Sequence, residues 1–204
     1  LSKDSREVKK GYIFFVTKAN TIYIEDVLRK GVRAIVSDTD PGIPVPCLII
    51  TTNVQALLGA MASKFYDFPS RKLTVIGITG TNGKTTTSYL MESIMKTANK
   101  KTAVIGTISH RYNGHTIKPK NTTPGAVELQ ALLNTMYDAQ CEYVIMEVSS
   151  HALDQRRVEG IDFDCAIFTN LTHDHLDYHG DIEHYLEAKK LLFTYFLPNS
   201  TKQE

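Results

Sequence analysis

The sequence shows no excess of either charge. Its 23 lysines and arginines stand against 22 aspartates and glutamates, a formal net charge of +1. Such a balance gives no bulk attraction to nucleic acid or to an anionic membrane, so any phosphate binding has to come from local geometry. Cysteine is scarce. Cys47, Cys141 and Cys165 are odd in number, far apart and outside any metal-ligand spacing, which argues against a centre built on thiolates. Cys141 and Cys165 adjoin apolar runs and are expected to be buried free thiols, in keeping with a reducing cytoplasm. No apolar run approaches the roughly 20 residues of a membrane span. No signal peptide is expected in the opening residues, and internal repeats and low-complexity segments are absent.

What is present is an ordinary globular composition. The 204 residues are 42% hydrophobic and 22% charged, enough material for a buried core in one or two domains. Short apolar runs alternate with amphipathic stretches, the pattern of an α/β fold. In the first part, strands are expected over 12–16, 34–36 and 47–50, with a helix over 24–30 that ends at Gly31. Asn53 is placed to cap a helix reaching about Tyr66, with Leu57, Leu58, Met61 and Phe65 on one face. Residues 67–72 read as a linker, so residues 1–70 and 71–204 are expected to form separate domains.

In the second part, a buried strand over 74–79 runs into a glycine loop and then a helix from Thr85 to about Ala98, with Leu90, Met91, Ile94 and Met95 as its apolar stripe. Further strands are expected over 102–106, 143–148 and 163–171, and helices over 126–139 and 181–196. Asn113-Gly114 between Ile108 and Ile117 signals a hairpin turn. Three strand ends coincide with polar clusters, at 80–85, 147–151 and 170–175. Ligands of open α/β sheets bind at the carboxyl ends of strands, so these clusters are candidates for one shared site.

The strand, the loop Gly80-Thr81-Asn82-Gly83-Lys84-Thr85 and the helix together form the context of a phosphate loop. Glycines let backbone N–H groups converge on phosphate oxygens, and the helix N-terminus adds partial positive charge. Lys84 can reach the terminal phosphates, and the Thr85 hydroxyl can ligate Mg²⁺. The loop is a shortened variant, with Ile78 where a glycine usually stands. Glu147, closing an apolar strand, is either a Mg²⁺ ligand beside the phosphates or an edge-of-core carboxylate paired with a base. The run from Thr172 to His179 is dense in ligand-type groups. His175 and His179 have helical spacing suited to zinc, although a Mg²⁺ shell fits better without thiolates; a solvated polar loop is the plain alternative. Arg156 and Arg157 are each as readily surface charges as carboxylate or phosphate holders, and Lys190 reads as a solvated cation. Ser149-Ser150-His151 lacks the glycine elbow of a hydrolase nucleophile.

Read in order, 80–87, Asn121-Thr122-Thr123-Pro124, 146–153, 168–180 and Ala188-Lys189 closely resemble the Mur ligases of peptidoglycan synthesis, of the MurE type. The match covers nearly all of 73–197, and Asp4-Ser5-Arg6 extends it toward the N-terminus. The resemblance implies a small N-terminal UDP-precursor-binding domain, then an ATP-binding, mostly parallel-sheet domain, here incomplete, with a C-terminal ligase domain beyond Glu204. It implies a cytoplasmic, ATP-dependent ligase that adds diaminopimelate or lysine to UDP-N-acetylmuramoyl-L-alanyl-D-glutamate through an acyl phosphate. Position by position, Gly80, Thr81, Asn82, Gly83, Lys84, Thr85 and Thr86 would bind ATP. Thr85, Glu147, His175 and a carbamylated Lys189 would hold Mg²⁺. Ser5, Asn121, Thr122, Thr123, Ser149, Gln155 and Arg157 would hold the precursor. The loop Thr17 to Thr21 departs from the family by lacking a histidine-containing uridine contact. A related Mur or folylpolyglutamate-type ligase, or a noncatalytic nucleotide-binding fragment, are the competing readings.

Overall fold

Two parallel-rich sheets organise the chain, which is seen here as a computed structural model describing residues 1–17 and 20–202. The first is formed by β1 (Ile13–Phe15), β2 (Ala34–Ser37) and β3 (Leu48–Ile50), parallel and side by side in sequence order. Successive side chains on a strand point to opposite faces. Phe14 and Ile35 therefore meet Ile24 and Val27 of α1 (Ile24–Arg29), whereas Phe15 and Val36 meet Val54 and Leu58 of α2 (Val54–Phe65). The Asn53 side chain accepts a hydrogen bond from the Ala56 N–H at 2.9 Å and caps α2 as expected. Phe65 departs from expectation: it lies on the outer side of the last turn and is exposed. Of the shortened loop on which the uridine contact was in question, Lys18 and Ala19 lie outside the described residues.

Residues 67–72 do not run free. Pro69–Lys72 forms a turn of 3₁₀ helix, and its Ser70 is wholly buried. Ser70 turns inward and Arg71 reaches across from the surface: Asp162 accepts from Arg71 Nε at 3.2 Å, and the Asp162 N–H donates to Ser70 Oγ at 3.0 Å. Behind it, Gly59 of α2 approaches Gly160 so closely that a Cβ on Gly160 would lie 2.8 Å from the Gly59 carbonyl oxygen. Only glycine permits this backbone contact, all the more because Gly160 has φ +77°.

The second sheet carries six strands: β4 (Thr74–Thr79), β5 (Thr102–Ile105), β6 (His110–Tyr112), β7 (His115–Ile117), β8 (Tyr143–Glu147) and β9 (Cys165–Phe168), in the spatial order β7-β6-β5-β8-β4-β9. The core strands are parallel, and β6–β7 is the antiparallel hairpin announced by Asn113-Gly114, both of which take positive φ. One face packs against α4 (Ala126–Asp138) through Leu129, Leu133 and Met136, and against Leu192 and Phe196. These last two lie in a π-helical extension of α7 (Ile182–Leu191). On the other face α3 (Lys84–Thr97) crosses Ile78, Val104 and Ile145.

Two expectations fail here for related reasons. The inward side of α3 is made by Ser88, Glu92 and the half-buried Met91, while Leu90 and Ile94 are 60% and 68% exposed. Glu92 is tolerated because it pairs with Arg111 at 2.7 Å and Lys96 at 2.8 Å. Cys165 opens β9, the edge strand, and is exposed rather than buried; Cys141 is buried as expected.

Candidate functional site

β4, β8 and β9 are adjacent, so their carboxyl ends deliver three polar segments to one place. Gly80 has φ +140°, and a Cβ there would collide with Thr169 Oγ1 just beyond β9. The loop is locked to that segment: Thr81 N–H donates to the Asn170 carbonyl at 2.9 Å and Asn82 N–H to Asn170 Oδ1 at 3.0 Å. Gly83, at φ +85°, turns the chain into α3, aiming the helix N-terminus at the same space. Thr86 stands exposed on the first turn.

Inside the loop two ammonium groups share an acceptor. Lys84 Nζ donates to the Gly80 and Thr81 carbonyls, each at 2.8 Å, and Lys189 Nζ donates to the Gly80 carbonyl at 2.8 Å. Lys189 is only 1% exposed. Its pKa is pushed down to about 7, first by burial and then by the neighbouring positive charge of Lys84, with Asp174 opposing. The surface helix of the sequence pattern hides this: α7 buries Tyr185, Ala188 and Lys189, whereas Lys190 pairs outside with Glu187 at 2.6 Å.

Glu147 ends β8 almost wholly buried, at 1% exposure. Among the described residues no cation lies within ion-pair distance of it. Hydroxyls serve it instead: Thr85 Oγ1 at 2.9 Å and Thr107 Oγ1 at 2.8 Å both donate to Oε2, and Ser88 Oγ reaches Oε1 at 3.4 Å. A buried carboxylate surrounded by hydroxyl oxygens, with Lys84 as a nearby charge and no cation in direct contact, is a donor set that suits Mg²⁺. Gly106 gives the carboxylate room, since a Cβ there would stand 2.5 Å from Oε1.

His175 takes φ +53° ahead of α6 (Leu176–His179) and joins an aromatic cluster rather than the phosphate loop itself. Its ring centroid is 4.9 Å from that of His151, which opens α5 (Ser150–Asp154) with Ser150, and 6.2 Å from that of Tyr185. Burial lowers the pKa of His151 and of His179. His179 Nε2 meets Ser150 Oγ at 3.0 Å, so of the two histidines considered for zinc, His179 is already engaged. Among the described residues no group of three or more His, Cys, Asp or Glu is arranged to hold a metal by itself.

The expected precursor residues form a neighbouring patch. Thr123 is fully buried, donating to the Glu147 carbonyl at 2.9 Å and accepting from the Ser149 N–H at 3.1 Å. Ser149 Oγ caps α5 by accepting from Ala152 N–H. Gln155 Oε1 accepts from both Nε and Nη2 of Arg157, at 2.9 and 2.6 Å, and Arg157 Nη1 reaches the Thr123 carbonyl at 3.3 Å. Arg157 and Asn121 then line a cleft of about 580 Å³ between the two sheets, together with Lys3 and Lys120. These two lysines escaped the sequence reading because nothing local distinguishes them. Arg156 turns away, its guanidinium 4.1 Å from the Tyr195 ring centroid, and is structural. Ser5 lines a separate cleft of about 640 Å³ with Arg6, Asn20 and Gln55.

Comparison with known proteins places the chain in a family. The Mur ligase middle domain family matches residues 78–202. A UDP-N-acetylmuramoyl-L-alanyl-D-glutamate--2,6-diaminopimelate ligase of Bacillus cereus is 45% identical over 95% of this chain and 40% of its own length. The enzyme of the same name from Synechococcus elongatus is 44% identical over 95% of this chain and 41% of its own. A solved structure of a ligase of that name superposes with a TM-score of 0.81 at 32% identity, covering 95% of this chain and 40% of that one. MurF ligase from Thermotoga maritima shares the fold, with a TM-score of 0.61 at 22% identity, covering 98% of this chain and 44% of its own. The chain thus spans about two fifths of the length of the curated relatives it matches. No helix among the described residues is long and apolar enough to cross a membrane. On the family match and on these identities, the chain belongs to the Mur ligase family.

Proposed function

We propose that this chain supplies the precursor-binding and ATP-binding parts of a cytoplasmic ligase that joins diaminopimelate to UDP-N-acetylmuramoyl-L-alanyl-D-glutamate. Residues 1–70 are assigned to the precursor's UDP end and 71–204 to ATP. The observation that carries this reading is the junction at Gly80. There the ammonium groups of Lys84 and Lys189 converge on one carbonyl near a buried carboxylate, Glu147, that has hydroxyl partners and no direct ion pair among the described residues. The relatives' names supply the amino acid and the precursor.

A carboxylate is a poor acyl donor, because oxide would have to leave. Phosphorylation by ATP turns it into an acyl phosphate that an amine can attack, with phosphate leaving. The protein's share of such a reaction is positioning and charge neutralisation. In this reading the loop 80–86 cradles the phosphates and Lys84 contacts the terminal ones. Thr85, Glu147, His175 and a carbamylated Lys189 would hold Mg²⁺, which would supply neutralisation of negative charge there. A neutral Lys189 amine can add to CO₂ through its nitrogen and lose one proton to solvent, and the resulting carbamate is an anionic oxygen ligand. Arg157, held flat by Gln155, faces the precursor with Asn121, Thr122, Thr123 and Ser149, and Ser5 lines the cleft for its nucleoside end.

The test is phosphate release from ATP by the full-length protein, given the UDP-linked dipeptide with diaminopimelate or lysine. Release that needs both the precursor and diaminopimelate, and that disappears in Lys84→Ala, is expected. Turnover retained without Lys84, or no release with either amino acid, would overturn the assignment.

A further inference from the structure

Thr107 lies just past β5, exposed, in none of the three motif-bearing segments. Its hydroxyl nevertheless stands at the centre of the site. Oγ1 is 2.8 Å from Glu147 Oε2 and 3.1 Å from Thr122 Oγ1. A hydroxyl has one hydrogen. An ionised carboxylate only accepts, so the Thr107 hydrogen goes to Glu147, and Thr122 must donate to Thr107. The result is a directed chain from the precursor loop, through Thr122 and Thr107, to the carboxylate.

Thr85 donates to the same oxygen of Glu147. If Thr85 and Glu147 both turn to a cation, the Thr85–Glu147 bond is exchanged for contacts to the ion, and Thr85 stops orienting the carboxylate. Ser88 is a weak partner at 3.4 Å. Gly106 packs against Oε1 but has no side chain that could hold it by a hydrogen bond. Thr107 is then the short bond that still fixes it. We propose that Thr107 is a positioning residue: it holds Glu147 for Mg²⁺ and couples that carboxylate to the precursor loop through Thr122. The proposal rests on the reading of Glu147 as a Mg²⁺ ligand. Hydrogen-bond partners of metal-ligating carboxylates commonly affect metal affinity about 10- to 100-fold.

The test uses the full-length protein that carries this chain, with ADP as the probe and affinity measured calorimetrically with and without Mg²⁺. Wild type is expected to bind ADP more tightly with Mg²⁺. Thr107→Val should cut that enhancement by about tenfold or more, leave Mg²⁺-free ADP binding unchanged, and leave the melting temperature of the unliganded chain unchanged. Thr107→Ser should restore the enhancement, which a bulk structural role would not predict. Combining Thr107→Val with Thr122→Val should be no worse than Thr107→Val alone, since the two hydroxyls act in series. An unaltered Mg²⁺ enhancement in Thr107→Val overturns the positioning role while the functional reading stands. Additive losses overturn the link to Thr122. No Mg²⁺ enhancement in wild type removes both readings.

Discussion

Lys189 offers the sharpest test of the site, because its chemistry follows from where its amine is buried. At a pKa of about 7, roughly nine-tenths of the amine is neutral at pH 8, against about 0.4% for an ordinary lysine near 10.4. That is about a 230-fold gain in the only form that reacts with CO₂. The product also inverts an electrostatic relation: Lys84, which now repels the Lys189 ammonium, would attract a carbamate. In ¹³C-bicarbonate at pH 8 the chain should therefore show a carbamate carbonyl resonance by NMR that vanishes in Lys189→Met and fades as the pH falls through 7. The amino terminus of Leu1, whose pKa burial also lowers, can give a second resonance, and the variant separates the two. The native chain releases the Lys189 proton near 7, whereas the unfolded chain keeps it to about 10.4. In that interval the unfolded state binds more protons, so this group makes stability rise with pH from about 7 to about 10.4; below about 7 both states are protonated and its contribution is flat, at its least favourable. No carbamate in wild type, or one that survives Lys189→Met, would refute the reasoning.

Two further outcomes test the site and the frame that carries it. Glu147→Gln should cost about tenfold or more of the Mg²⁺ enhancement of ADP affinity while the amide still accepts from Thr85 and Thr107; a calorimetric enhancement equal to wild type would count against the metal role. Gly160→Ala should lose more than about 2 kcal/mol in urea denaturation, since left-handed backbone alone costs roughly 1–2 kcal/mol and the new Cβ would meet the Gly59 carbonyl. A change below about 0.5 kcal/mol would mean that the two backbones can part cheaply.

What the sequence revealed and what it hid divide along the range of the interactions. Gly80, Gly83 and Asn113-Gly114 announced their turns because positive φ is a local demand that leaves a local mark. The strand ends likewise pointed to one shared site, since each polar cluster closes an apolar run. Lys189 was recognisable only through a family resemblance: its burial depends on a phosphate loop 109 positions away in sequence, and nothing in α7 distinguishes it from Lys190. Leu90 and Ile94 looked like core because they are apolar at helical spacing, yet Glu92, neutralised by Arg111 and Lys96, takes the inward side. Thr107 was passed over because a lone threonine after a strand carries no signal until its neighbours across the sheet are known.

The strand order also sets a timetable for folding. The first sheet pairs its strands in the order in which they are made, so its contacts are short in sequence and can close early. The strand that feeds the phosphate loop cannot follow that course: it pairs with Tyr143–Glu147 on one side and with Cys165–Phe168 on the other, and Gly80 must then be clasped by Thr169 and Asn170. During synthesis the loop is complete some 90 residues before its walls exist, as the 88-residue span between Asn82 and Asn170 shows. In the ATP-binding reading proposed above, a nascent chain that has passed the glycine motif would have no nucleotide cradle until Asn170 has emerged, and nucleotide capture would report that the long-range half of the fold has closed.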